Sequence, residues 1–71
     1  MRDVFAQDCI VECTDNGKSI TADVSKFVQG VFLEVTMNTV NVNLQYQERF
    51  DQYVGSMGGL EFVSKGPHQL G

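Results

Sequence analysis

Alternation of apolar and polar side chains constrains this chain more than any other feature. In Ser19-Ile20-Thr21-Ala22-Asp23-Val24-Ser25 every second residue is apolar, the period of a strand with one face buried. The preceding stretch, Phe5 to Thr14, puts Phe5, Cys9, Val11 and Cys13 on one face, with Gln7 interrupting it and Ile10 on the opposite side. Between them lies Asp15-Asn16-Gly17-Lys18. Asn-Gly tolerates the positive φ angles of a tight hairpin turn, so the two strands should pair antiparallel.

The pattern continues downstream. Lys26-Phe27-Val28-Gln29-Gly30 reads as a connection, followed by a strand with Val31, Leu33, Val35 and Met37 inward and Phe32, Glu34 and Thr36 outward. Asn38-Thr39 is a short turn. Val40 to Tyr46 is a fourth strand, with the amides Asn41, Asn43 and Gln45 on its outer face. Residues 47–57 are ambiguous. Tyr46, Phe50, Tyr53, Val54 and Met57 recur at helix spacing, yet a strand from Phe50 with Gly55 at a bend fits equally and would cover an open sheet edge. Gly58-Gly59 breaks the element, Leu60 to Ser64 is a last short strand, and residues 65–71 read as a loosely ordered tail.

These elements predict one mainly-β domain over residues 1–64. The expected form is a small antiparallel barrel or strongly curled sheet of five or six strands, with 47–57 as a strand or one short helix. Its inward set is Phe5, Cys9, Val11, Cys13, Ile20, Ala22, Val24, Val31, Leu33, Val35, Val42, Leu44, Tyr46, Tyr53, Leu60 and Phe62. A 71-residue chain buries only about 60% of the surface its unfolded form exposes, so self-association would help it.

Bulk properties exclude several function classes. Five Lys/Arg against nine Asp/Glu give a net charge of −4, which argues against generic nucleic-acid binding, since that depends on neutralising phosphates. No apolar run approaches the ~20 residues that cross a bilayer, and no export signal opens the chain. Cytoplasmic location is the expectation. Cys9 and Cys13, four strand residues apart, would stand roughly 13 Å from each other, too far for a disulfide. They are expected as reduced core thiols.

No catalytic constellation is visible, and no cofactor or metal site is expected. His68, the single histidine, lies beside Pro67 with no carboxylate near it in sequence. Gly55-Ser56-Met57-Gly58-Gly59 lacks the Lys-Ser/Thr pair and following helix of a phosphate loop. Asp23 and Glu34 are candidate cross-strand neighbours. Phe27 and Val28, in a connection, with Phe32 outward on the next strand, form a candidate partner surface; the competing expectation has Phe27 plugging one end of the barrel.

Thr21-Ala22-Asp23-Val24-Ser25, then Gly30-Val31-Phe32-Leu33-Glu34-Val35, resembles the PilZ domain, and Gly59-Leu60-Glu61-Phe62-Val63 is similar to its closing strand. That resemblance implies a six-stranded barrel and a cyclic di-GMP site drawing on Arg2, Asp23 and Ser25. Two departures stand out. Ser25 and Gly30 are separated by four residues where the family has two, and Ala6 stands where the family's second arginine would grip phosphate. The resemblance therefore implies degenerate or absent cyclic di-GMP binding. The leading expectation is a non-enzymatic interaction or structural module, homo-oligomeric or bound to a protein partner; the alternative is the nucleotide sensor.

Overall fold

The computed structural model describes residues 4–70. Its strands are β1 (Asp8–Cys13), β2 (Lys18–Val28), β3 (Phe32–Met37), β4 (Val40–Gln47), β5 (Gln52–Met57) and β6 (Leu60–Ser64). Each pairs antiparallel with the next, and β6 returns to β1, closing a six-stranded up-and-down barrel. Residues 47–57 contain a turn and then β5, so the helix alternative is not realised. Pairing decided it: β5 fills the gap between β4 and β6, placing Tyr53 in the core while Phe50 stays exposed in the turn.

Turn chemistry sets the hairpins. The first loop spans Thr14 to Gly17, where Gly17 adopts φ +71° and donates its N–H to Cys13 at 2.8 Å. The two-residue turns Asn38-Thr39 and Gly58-Gly59 have φ of 52° and 69°, and of 61° and 80°. Positive φ at both positions matches the twist of the flanking strands. Asn and Gly suit such angles; a β-branched Thr39 does not.

Core residues follow the alternation. Cys9, Val11, Cys13, Ala22, Leu33, Val35, Val42, Leu44 and Tyr53 are buried, all of them from the expected inward set. Phe5, Val24, Tyr46 and Phe62 are half-buried. Ile20, Val31 and Leu60 are exposed. They lie close to the turns, near the ends of their strands.

Two departures from regular pairing shape the wall. In β2, Val24 pairs with Val35 and Lys26 with Glu34, so Ser25 has no opposite residue. This one-residue bulge keeps β2 in the sheet through Val28, where the sequence suggests a connection from Lys26. In β5, a Cβ added at Gly55 would overlap the carbonyl oxygen of Asn43 and lie 2.7 Å from Leu44 Cδ2. Glycine lets β4 and β5 approach there.

Closure between β1 and β6 is short, Glu12↔Val63 and Cys13↔Phe62, extended by Thr14 N–H donating to Glu61 O at 3.0 Å. Beyond it, the Ser64 hydroxyl donates to the Ile10 carbonyl at 2.7 Å. The C-terminal segment is also held, contrary to a loose tail. Ala6 N–H donates to His68 O at 2.8 Å, Leu70 N–H to Val4 O at 2.6 Å, and Pro67 is buried.

Gly55→Ala should therefore cost about 2–3 kcal/mol, the scale of overpacking a filled site. Thr39→Gly should add about 1 kcal/mol by relieving a left-handed β-branched residue. Urea denaturation of both variants checks the pair; a neutral Gly55→Ala would mean the strands part freely at that point.

Candidate functional site

The bulge at Ser25 decides which β2 side chains reach solvent. Ala22 and Val24 point inward before it; after it the parity switches, so Phe27 turns in while Lys26 and Val28 turn out. Phe27 is thus removed from the expected partner surface. It is half-buried, edge-on to Phe5 at 4.9 Å and to Tyr53 at 5.5 Å between ring centroids, which is the end-plugging arrangement. Val28 and Phe32 remain together as direct cross-strand partners, Val28 exposed and Phe32 half-buried.

The same register sets the next row. Lys26 stands opposite Glu34, and Glu34 opposite Asn43; Phe32 stands opposite Gln45. Lys26, Phe32, Glu34, Asn43 and Gln45 border a shallow depression of about 410 Å³ on the outer face of β2–β4. This face carries an apolar pair beside a pair of opposite charges. Sequence reading missed the Lys26–Glu34 pairing because the bulge that creates it has no local signature.

One row further, Asp23 does not meet Glu34 as expected. It lies opposite Asp8 on β1 and Thr36 on β3. The Ser25 and Thr36 hydroxyls are 2.7 Å apart, and Thr36 donates to Asn41 Oδ1 at 2.7 Å. Asp23 and Ser25 are both exposed on β2; Arg2 lies outside the described residues. Like charges directly opposite repel, and the Asp8–Asp23 pair makes this row unfavourable to an anion.

A groove of about 560 Å³ follows the β1–β6 seam beside Ile10, Glu12, Val63, Lys65 and His68. Cys9 and Ser64 also line it. Both cysteines are free and buried. Burial raises the Cys9 thiol above its ordinary pKa; the Ser64 hydroxyl, 3.7 Å from the sulfur, lowers it, and the nearby Asp8 charge raises it further. The net rise keeps the thiol protonated, the unreactive form. Gly58-Gly59 is a hairpin turn between β5 and β6, with a strand where a phosphate loop needs a helix.

At the other end, connections 29–31 and 48–51 meet the terminal segments around a cup of about 360 Å³. Tyr53 accepts the Gly30 N–H on its hydroxyl at 2.8 Å, and the Tyr46 hydroxyl donates to Asp51 Oδ1 at 2.6 Å. That hydrogen bond to the carboxylate holds the Tyr46 phenol above its usual pKa. Neither feature is legible in sequence, since Gly30, Tyr46, Asp51 and Tyr53 come from different elements.

Among the described residues no three His, Cys, Asp or Glu side chains converge as metal donors, and no helix is long and apolar enough to cross a membrane. No family model matches the chain, and no curated protein or solved structure is found to be similar to it.

Calorimetric titration with cyclic di-GMP should give no heat, because the acidic row at Asp8 and Asp23 meets a dianionic ligand. Saturable heat that disappears in Asp23→Ala or Ser25→Ala would support the nucleotide reading.

Proposed function

We propose that this chain is a non-enzymatic interaction module that associates with a second copy of itself through the outer face of β2–β4. The observation that carries the reading is the two-row block in which Val28 faces Phe32 and Lys26 faces Glu34 across adjacent strands. A two-fold interface brings the same patch together twice, so the patch must complement itself. Consider an axis lying in the interface, parallel to the strands and between β2 and β3. Rotation about it sets Lys26 over Glu34 of the partner subunit and Val28 over Phe32 of the partner subunit. Both rows are satisfied by one operation.

Neighbouring chemistry agrees. The β4 side of the face presents Asn41, Asn43 and Gln45, uncharged groups that add no repulsion between two chains of net charge −4. Covering Val28 and Phe32 also removes apolar surface from water, which stabilises a domain whose core is thin. Two free thiols on one buried face suit a reducing compartment, so we place the module in the cytoplasm.

Sedimentation equilibrium tests the reading. The wild-type chain should dimerise at micromolar to high micromolar concentration. Lys26→Glu or Glu34→Lys alone should weaken the dimer by about tenfold or more, since each creates like-charge contacts twice per dimer. The double swap should recover most of the loss. A stable monomer at high micromolar concentration, or a double swap no better than the singles, would remove this interface.

A further inference from the structure

The cup at the barrel end is distinct from the β2–β4 face and asks for a different kind of ligand. Its floor is apolar: the Phe5 and Phe27 rings, packed edge-on at 4.9 Å and 79°, with buried Pro67 beside them. Tyr53 closes the base. Its hydroxyl oxygen accepts from Gly30, leaving the phenol proton as a donor to an incoming acceptor. On the rim stand two charges of opposite sign, Asp51 and Lys65, both exposed. Asp51 is oriented by the Tyr46 hydroxyl at 2.6 Å, and its carboxylate retains acceptor capacity for an ammonium group.

We propose that this cup binds a small zwitterion with an apolar body, of the class of an α-amino acid with a large apolar side chain. The ammonium group of such a ligand faces Asp51, its carboxylate faces Lys65 and the Tyr53 hydroxyl, and its side chain covers the Phe5 and Phe27 rings. A volume of about 360 Å³ accommodates one molecule of that size. A nucleotide fits poorly, because a single ammonium meets several phosphate charges. A plain hydrocarbon leaves both rim charges without use. Fixed aromatic packing holds the floor ready, so little ordering cost attends binding.

Both rim charges are solvent-exposed, so each is worth what an exposed ion pair is worth, about two- to fivefold in affinity. The test is calorimetry and amide-resolved NMR titration of the full chain with L-phenylalanine. Phenethylamine, which lacks the carboxylate, and 3-phenylpropionate, which lacks the ammonium group, are titrated in parallel. L-phenylalanine should bind in the millimolar range or tighter and shift the Gly30, Asp51, Lys65 and Gly66 amides. Each analogue should bind about two- to fivefold more weakly.

Asp51→Asn should abolish the preference over 3-phenylpropionate alone, and Lys65→Gln should reduce the preference over phenethylamine alone, the Tyr53 hydroxyl still facing the carboxylate. Both positions are exposed, and asparagine accepts the φ of 52° found at Asp51, so both variants should melt like the parent. No binding of L-phenylalanine, equal binding of all three compounds, or shifts confined to the β2–β4 face would each overturn the proposal. Loss of self-association with intact binding here would leave it standing, since the two surfaces are separate.

Discussion

Ser25 has no residue opposite it in the sheet, and that one unpaired position governs both faces of the wall around it. Without the bulge, the alternation that places Ala22 and Val24 inside would carry Lys26 and Val28 inside as well. An ammonium group would then enter an apolar interior, at a desolvation cost of several kcal/mol. With the bulge, Lys26 emerges beside Glu34 and Val28 beside Phe32, while Phe27 turns inward to meet Phe5 and Tyr53. The Lys26–Glu34 and Val28–Phe32 rows of the outer face and the aromatic floor of the cup are two consequences of the same extra residue.

Closure of the barrel depends on a second economy. β1 and β6 share only two register positions, a short ladder for the seam that converts a curled sheet into a barrel. Side chains complete it. Ser64 supplies its hydroxyl to the Ile10 carbonyl, while Asp15 accepts the Glu61 N–H and Thr14 donates to the Glu61 carboxylate at 2.9 Å. At the far end the two terminal segments pair through Phe5 and Gln69. Gly66, whose Cβ would stand 3.2 Å from the Tyr53 ring, lets the C-terminal chain lie flat against the aromatic cluster. Residues 4–6 and 65–70 are therefore tied to each other and to the core, and the cup owes one of its rim charges, Lys65, to a segment that its composition alone marks as a tail.

Much of the architecture is legible without coordinates, for a local reason. Burying one face of a pleated strand forces period-two alternation, and turns that reverse the chain force Asn or Gly into positive φ; both requirements act on neighbouring residues. Hence most of the strand residues from Asp8 to Gln47, most of the inward aliphatic row and the two buried thiols follow from residue order. The stretch 47–57 fits helix as well as strand because its apolar residues satisfy both periods, and only the vacancy between β4 and β6 settles it. The candidate site was less legible. Val28 and Phe32 hold their outward positions, but Phe27, Asp23 and Glu34 have different neighbours from those the spacing suggests.

By itself the sequence determined that this chain would bury Cys9, Val11, Ala22, Leu33, Val35, Val42 and Leu44 from short strands, since hydrophobic burial acts through a repeat that any stretch of chain displays. Which strand meets which across the seam, where the pleat slips by a residue, and which distant side chains share a cup were decided by the tertiary structure. Those outcomes depend on pairing energies summed around a closed ring, and no single segment carries that sum.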